Sequence, residues 1–126
     1  INQVLWRGFN HAGDPPEDEI EGRKLVQRSP NFLKDLTIVA VAPNGDYVSY
    51  CGMFYEPGNK VAMLEPLATD PDYRRMGMAR AVVLESMRRV QALGAEVCWV
   101  GSGQEFYLAL GFELKYTANV WGKLLE

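Results

Sequence analysis

One stretch constrains this chain more than any other: TDPDYRRMGMARAVVLESMRRV, Thr69 to Val90. It leaves an apolar strand, passes Asp-Pro and an Arg-rich turn, and meets a single glycine, Gly77. The pattern then changes period. Apolar residues fall at Val82, Val83, Met87, Val90 and Leu93, which is helical spacing, and Gly94 sits where a C-terminal cap belongs. Glu96 to Val100 is a short apolar strand. Strand, helix, strand is a crossover unit, so its two strands are expected to be parallel. The start of that helix is also an anion site. Its first backbone N–H groups carry partial positive charge and have no partner inside the helix. Arg74, Arg75 and Arg80 add charge, and the small residues Gly77 and Ala79 allow a phosphate to approach the backbone. Read alone, the same residues also fit a solvated basic turn. No Gly-Lys-Ser/Thr follows, so this is not a Walker loop. Three spaced glycines are absent, so it is not a dinucleotide fingerprint.

The rest of the chain supplies a sheet and short helices. Val4 to Asn10 predicts a short helix, and the segment from Pro15, with acidic residues first and basic residues last, predicts another. Leu36 to Ala42, Tyr47 to Tyr55 and Val61 to Thr69 read as strands. Pro43-Asn44-Gly45-Asp46 and Glu56-Pro57-Gly58-Asn59 are turns between them, so the three form an antiparallel meander. Gly101-Ser102-Gly103 loops into a helix over Gln104 to Leu110. Phe112 to Tyr116 and Asn119 to Leu125 predict a final pair of strands. The class is α+β, a mixed and mostly antiparallel sheet flanked by helices.

Composition excludes several functions. The chain has 126 residues, enough for one domain, and a formal net charge of −3, which disfavours a nucleic-acid partner. No apolar run is long enough to span a membrane. The single histidine, His11, makes a Cys/His zinc cluster implausible, and a Ser-His-Asp triad would have to draw it from a polar N-terminal stretch. The two cysteines, Cys51 and Cys98, each lie inside apolar runs and are expected to be buried free thiols, which suits a cytoplasmic setting.

Two more segments could carry chemistry. Glu65 is a carboxylate in the otherwise apolar strand KVAMLEPLAT. Pro66 beside it marks either a bulge that frees backbone groups for a ligand or an edge position with Glu65 facing water. Phe106-Tyr107-Leu108-Ala109-Leu110-Gly111-Phe112 has aromatic residues at a spacing common in cores. Tyr107, however, follows a Gly-rich loop after a parallel strand, and ligands bind at the C-terminal ends of parallel strands.

Together, the strand, Arg-Arg-x-Gly-x-Ala, helix, strand and Phe-Tyr-x-x-x-Gly-Phe resemble the GNAT superfamily of acyl-CoA-dependent N-acetyltransferases. Arg74, Gly77 and Ala79 fill that family's phosphate-loop pattern, and the resemblance is clearest from Val61 to Phe112. It implies acetyl-CoA as co-substrate. The pyrophosphate would rest on the N–H groups of Met76, Gly77, Met78 and Ala79, assisted by Arg74 and Arg75. The pantetheine arm would bond along Leu67, Ala68 and Thr69. Glu65 resembles the carboxylate that acts as base, and Tyr107 matches the usual proton donor. The family's pantetheine-binding Asn is absent here, which leaves Ser102 or Gln104 to substitute. The family fold opens with a strand, whereas this chain opens on a helix and does not begin with Met. It is therefore expected to be one half of a longer, tandem protein, with a second domain or a second copy covering the edge.

The resemblance points to transfer of an acetyl group to a small-molecule primary amine. The alternative is a non-catalytic acyl-CoA-binding or regulatory module. The acidic run from Asp14 to Glu21 suits either a cationic acceptor or a solvated helix start.

Overall fold

The computed structural model describes residues 1–125. Four helices and four strands follow one another as α1 (Asn2–Gly8), α2 (Glu17–Gln27), β1 (Ile38–Val41), β2 (Tyr47–Glu56), β3 (Val61–Thr69), α3 (Met78–Ala92), β4 (Val97–Trp99) and α4 (Glu105–Ala109). Single 3-10 turns lie at Lys34–Leu36 and Pro71–Tyr73. The sheet order is β1-β2-β3-β4. The first two pairings are antiparallel and the last is parallel, as the meander and crossover require.

Local chemistry fixes the connections. In the β1–β2 turn the Asn44 side chain accepts from the Asp46 N–H and donates to its carboxylate. In the β2–β3 turn the Glu56 carboxylate accepts the N–H groups of Asn59 at 2.7 Å and Gly58 at 2.8 Å. Those bonds hold Glu56 below the usual carboxylate range. At the end of α3 the Gly94 N–H bonds the Gln91 carbonyl and the Ala95 N–H bonds the Val90 carbonyl. With Gly94 at φ +105° this is a Schellman stop, the C-terminal cap expected at that glycine.

The two faces of the sheet bury different helices. α3 covers Cys51, Met53, Ala62 and Leu64 with Val82, Val83 and Val90, and Leu36 and Tyr107 complete that core. On the other face α1 places Val4 and Leu5 on Tyr50 and Ala68. Both thiols are free. Cys51 is buried and Cys98 half-buried, and loss of hydration pushes both up to about 11, so they stay protonated at neutral pH. Among the described residues no helix is long and apolar enough to cross a membrane.

The register shows a bulge at Pro66, and Glu65 beside it is exposed, so each reading of Pro66 holds in part. Cys51 pairs with Leu67 and Met53 with Leu64, so Gly52 alone stands opposite Glu65 and Pro66. This is a β-bulge in β3. The Glu65–Pro66 peptide is cis. Gly52 makes the bulge fit, since a Cβ there would lie 2.4 Å from the Glu65 carbonyl oxygen.

One expectation fails. Residues 112–125 contain no strand, although the sequence predicts a final pair over Phe112 to Tyr116 and Asn119 to Leu125. β4 offers only three residues and pairs with β3 alone. Two short strands that bury no shared face gain too little to persist. Val120, Trp121, Leu124 and Leu125 accordingly have no packing partners.

Gly52→Val should destabilise the protein by about 1–3 kcal/mol, because the new side chain meets backbone and cannot be accommodated by a rotamer change. Urea denaturation of the two proteins checks this, and an unchanged midpoint would contradict it.

Candidate active site

The end of β3 and the start of α3 form a concave backbone surface. Asp70 caps the short turn over Pro71–Tyr73 by accepting the Asp72 N–H at 3.0 Å. The chain then alternates hand. Arg74 has φ −68°, Arg75 +61° and Gly77 +81°. Alternation of this kind turns successive N–H groups toward one side and makes an anion-binding nest. The first bond of α3 runs from the Ala81 N–H to the Gly77 carbonyl at 3.0 Å. The N–H groups of Arg75 to Arg80 therefore have no partner among the described residues. No side chain caps the helix and its first turn holds no acidic residue. Glycine is needed at position 77 for its positive φ, while a Cβ there would meet nothing within 4 Å. The space in front of the nest is open.

The arginines divide their labour. The Arg74 guanidinium donates to the Gly8 carbonyl at 2.8 Å, to Asn10 Oδ1 at 2.9 Å and to the Thr69 carbonyl at 3.3 Å. It ties the loop to the end of α1. Arg75 and Arg80 are exposed and make no hydrogen bond or ion pair among the described residues. A second brace, unseen in the sequence, joins the same elements. Arg7 on α1 donates from Nε to Asp70 Oδ2 at 2.6 Å, and from Nη2 to Asp70 Oδ1 at 3.0 Å and Asp72 Oδ2 at 2.6 Å. The Arg7 hydrogen bonds hold Asp70 below the usual carboxylate range. Asp70-Pro71 is legible as a cap from its residue types; its partner Arg7, 63 residues away, is not. A cleft of about 530 Å³ beside this brace is lined by Arg7, Asp46, Asp70 and Asp72 among others.

The ladder between β3 and β4 covers only Val61↔Val97, Ala62↔Cys98 and Met63↔Trp99. From Leu64 to Thr69, β3 keeps β2 on one side and has no strand on the other. Leu67, Ala68 and Thr69 line this free edge, which ends at the nest. Glu65 begins it, with an exposed carboxylate. Ser102 and Gln104 follow β4, the Gln104 N–H reaching Ser102 Oγ at 3.4 Å. Gln104 also starts α4, whose Tyr107 is 8% exposed and sits edge-on to Phe106 and Phe112 at 5.2 and 5.7 Å.

Both aspects of Tyr107 matter. Its ring is core, as the aromatic spacing suggested. Its hydroxyl makes no hydrogen bond, and no sealed side-chain oxygen or nitrogen among the described residues lacks one, so the hydroxyl reaches solvent. Burial pushes the phenol above its ordinary value, with smaller contributions from Cys51 and Glu65.

An anion cradle opening onto an unpaired strand edge suits a long cofactor with a phosphorylated head, and the surrounding fold is that of acyl-CoA-dependent transferases. The chain belongs to the Acetyltransferase (GNAT) family, which it matches over residues 2–112. It is thus an acyltransferase with acetyl-CoA as co-substrate. No curated protein sequence matches it. Among solved structures it is similar to the GNAT family N-acetyltransferase YhbS from Escherichia coli in complex with CoA. That pair is 25% identical with a TM-score of 0.70, over 90% of this chain and 61% of the other. It is also similar to AAC(6')-Iy in complex with the bisubstrate analogue CoA-S-monomethyl-acetylneamine, at 15% identity and TM-score 0.72, over 97% and 88%. Glucosamine-6-phosphate N-acetyltransferase from Arabidopsis thaliana is 17% identical with a TM-score of 0.68, over 98% and 88%.

The Arg7–Asp70 brace has a pH signature. A carboxylate whose folded pKa is depressed stabilises the fold above its unfolded value, about 3.9, and that stability is lost as pH falls through the folded value. The melting temperature should therefore drop less below pH 4 in Asp70→Asn than in the parent protein. Parallel acid curves for the two would contradict this role.

Proposed function

We propose that this chain transfers an acetyl group from acetyl-CoA to the primary amine of a small molecule by direct attack. The observation that carries the reading is the continuity of the site: free N–H groups from Arg75 to Arg80 lead onto the unpaired edge of β3, which leads to the exposed Glu65. Acetyl-CoA supplies the activated acyl group as a thioester. The N–H groups of Met76, Gly77, Met78 and Ala79 hold the pyrophosphate, and Arg75 and Arg80, free of other partners, neutralise its charge. Arg74 fixes the loop that presents them. Leu67, Ala68 and Thr69 bond the pantetheine arm as a strand would, with Ser102 or Gln104 facing it across the gap. A backbone N–H near Leu67 polarises the thioester carbonyl.

An alkyl amine has a pKa near ~10.4 and is mostly protonated at neutral pH. Glu65, exposed at the head of the free edge, takes that proton through water. Tyr107 returns a proton to the departing sulfur. Its raised pKa keeps the phenol protonated across the neutral range, so the donor is loaded when needed. The two free thiols fit a reducing compartment such as the cytoplasm.

A thiol-release assay with acetyl-CoA against a panel of amines tests the reading. Glu65→Gln and Tyr107→Phe should each lower kcat by roughly 10²-fold or more, and Gly77→Val should weaken acetyl-CoA binding by forcing a side chain into positive φ. Full turnover in both site variants would remove those two roles. Tight acetyl-CoA binding with no turnover across the panel would instead identify a non-catalytic acyl-CoA-binding module.

A further inference from the structure

The sheet face opposite α3 is only partly covered. α1 occupies the region of Tyr50 and Ala68, and α2 packs on α1 without comparable contact to any strand. Farther along this face, Phe54, Met63 and Trp99 stand in one row across three strands, because Phe54 pairs with Met63 and Met63 with Trp99. Their neighbours Met53, Ala62, Leu64 and Cys98 belong to the α3 core, so alternation turns the row the other way. Tyr116 extends the row, its ring 5.8 Å from that of Trp99 and tilted by 60°. Met63 is 42% and Tyr116 70% exposed. The next residue of β3 on this face is Glu65, whose carboxylate has no hydrogen bond or ion pair among the described residues and which is not followed by any basic side chain in the row.

This arrangement selects its occupant by charge and shape. An unpaired carboxylate attracts an ammonium group, and aromatic faces add to that attraction when a cation lies within about 6 Å of them. The rest of the row offers apolar atoms and no side-chain hydrogen-bonding group beyond the Trp99 N–H and the Tyr116 hydroxyl. A polyhydroxylated amine gains little from these apolar atoms, whereas an apolar group removes their surface and its own from water. We infer that the acceptor is a small primary amine carried on an aromatic or branched apolar group. Its nitrogen lies at Glu65 and its apolar part lies on the shelf of Phe54, Met63 and Trp99 beside Tyr116. This deepens the acetyltransferase reading and rests on its placement of Glu65 at the reacting end.

Calorimetric titration of the CoA-bound protein with two primary amines, 2-phenylethylamine and ethanolamine, tests the inference without relying on turnover. 2-Phenylethylamine should bind about tenfold tighter or better. Trp99→Ala should erase that preference. So should Met63→Ser, at an exposed position where the fold is not at stake. Equal affinity for the two amines, or a preference that survives both substitutions, would overturn the inference. So would a dimer that Trp99→Ala splits together with no 2-phenylethylamine binding, since a second copy would then be the occupant. A titration with acetyl-CoA, and the same amine titrations on the CoA-free protein, keep the two levels apart: failure of the first sinks the acetyltransferase mechanism, while the amine preference of the CoA-free protein still decides the shelf.

Discussion

The site depends on a ladder that stops early. β3 is bonded along its length to β2 but meets β4 only over Val61 to Met63. Every other feature uses the gap this leaves. The free edge from Leu64 to Thr69 leads into the nest at Arg75 to Arg80, and α4 brings Tyr107 back against the core that α3 covers. Had the parallel pairing continued to Thr69, backbone groups that can bond a ligand would have been consumed by the sheet. Gly52 contributes from the other side. It lets Glu65 and Pro66 bulge against a single residue of β2, and that bulge sets which side chains of β3 face α3 and which face outward.

Much of this was legible in the sequence because the relevant signals are local. The switch from strand to helical period located β3, α3 and β4, and the parallel pairing followed from chain connectivity. Pro66 in an apolar strand announced an irregularity without deciding its kind; the partner that decides it, Gly52, lies on another strand and is silent until the register is known. In the sequence Arg74, Arg75 and Arg80 all supply charge to the loop, and the family resemblance singles out Arg74 and Arg75 for the pyrophosphate. The fold separates them: Arg74 is bound by carbonyls of α1 and β3, and Arg75 and Arg80 are left uncommitted. That division depends on where α1 ends, which no spacing in the loop encodes.

The misreading of residues 112–125 has a complementary cause. Alternation of apolar and polar residues reports that a segment can lie in a sheet; it does not supply the neighbour whose backbone completes the ladder. With β4 limited to three residues, that neighbour is missing within the described residues. The shelf of Phe54, Met63 and Trp99 was invisible for a related reason. Each residue belongs to a different strand, and only pairing across the sheet brings them into one row.

The manner in which Arg74 is held has an electrostatic consequence. Arg7 spends its charge on two carboxylates, whereas Arg74 is bound by two carbonyls and an amide oxygen, which are neutral dipoles. Its unit charge is therefore not cancelled and adds to those of Arg75 and Arg80. A chain of net charge −3 thus keeps a locally positive field at the mouth of its loop. Such a field guides a polyanion to one spot on an otherwise repelling surface, and its reach shrinks with ionic strength as the Debye length falls to about 8 Å in physiological salt. On the proposed reading, capture of the pyrophosphate thus rests on local charge and not on the net charge of the chain.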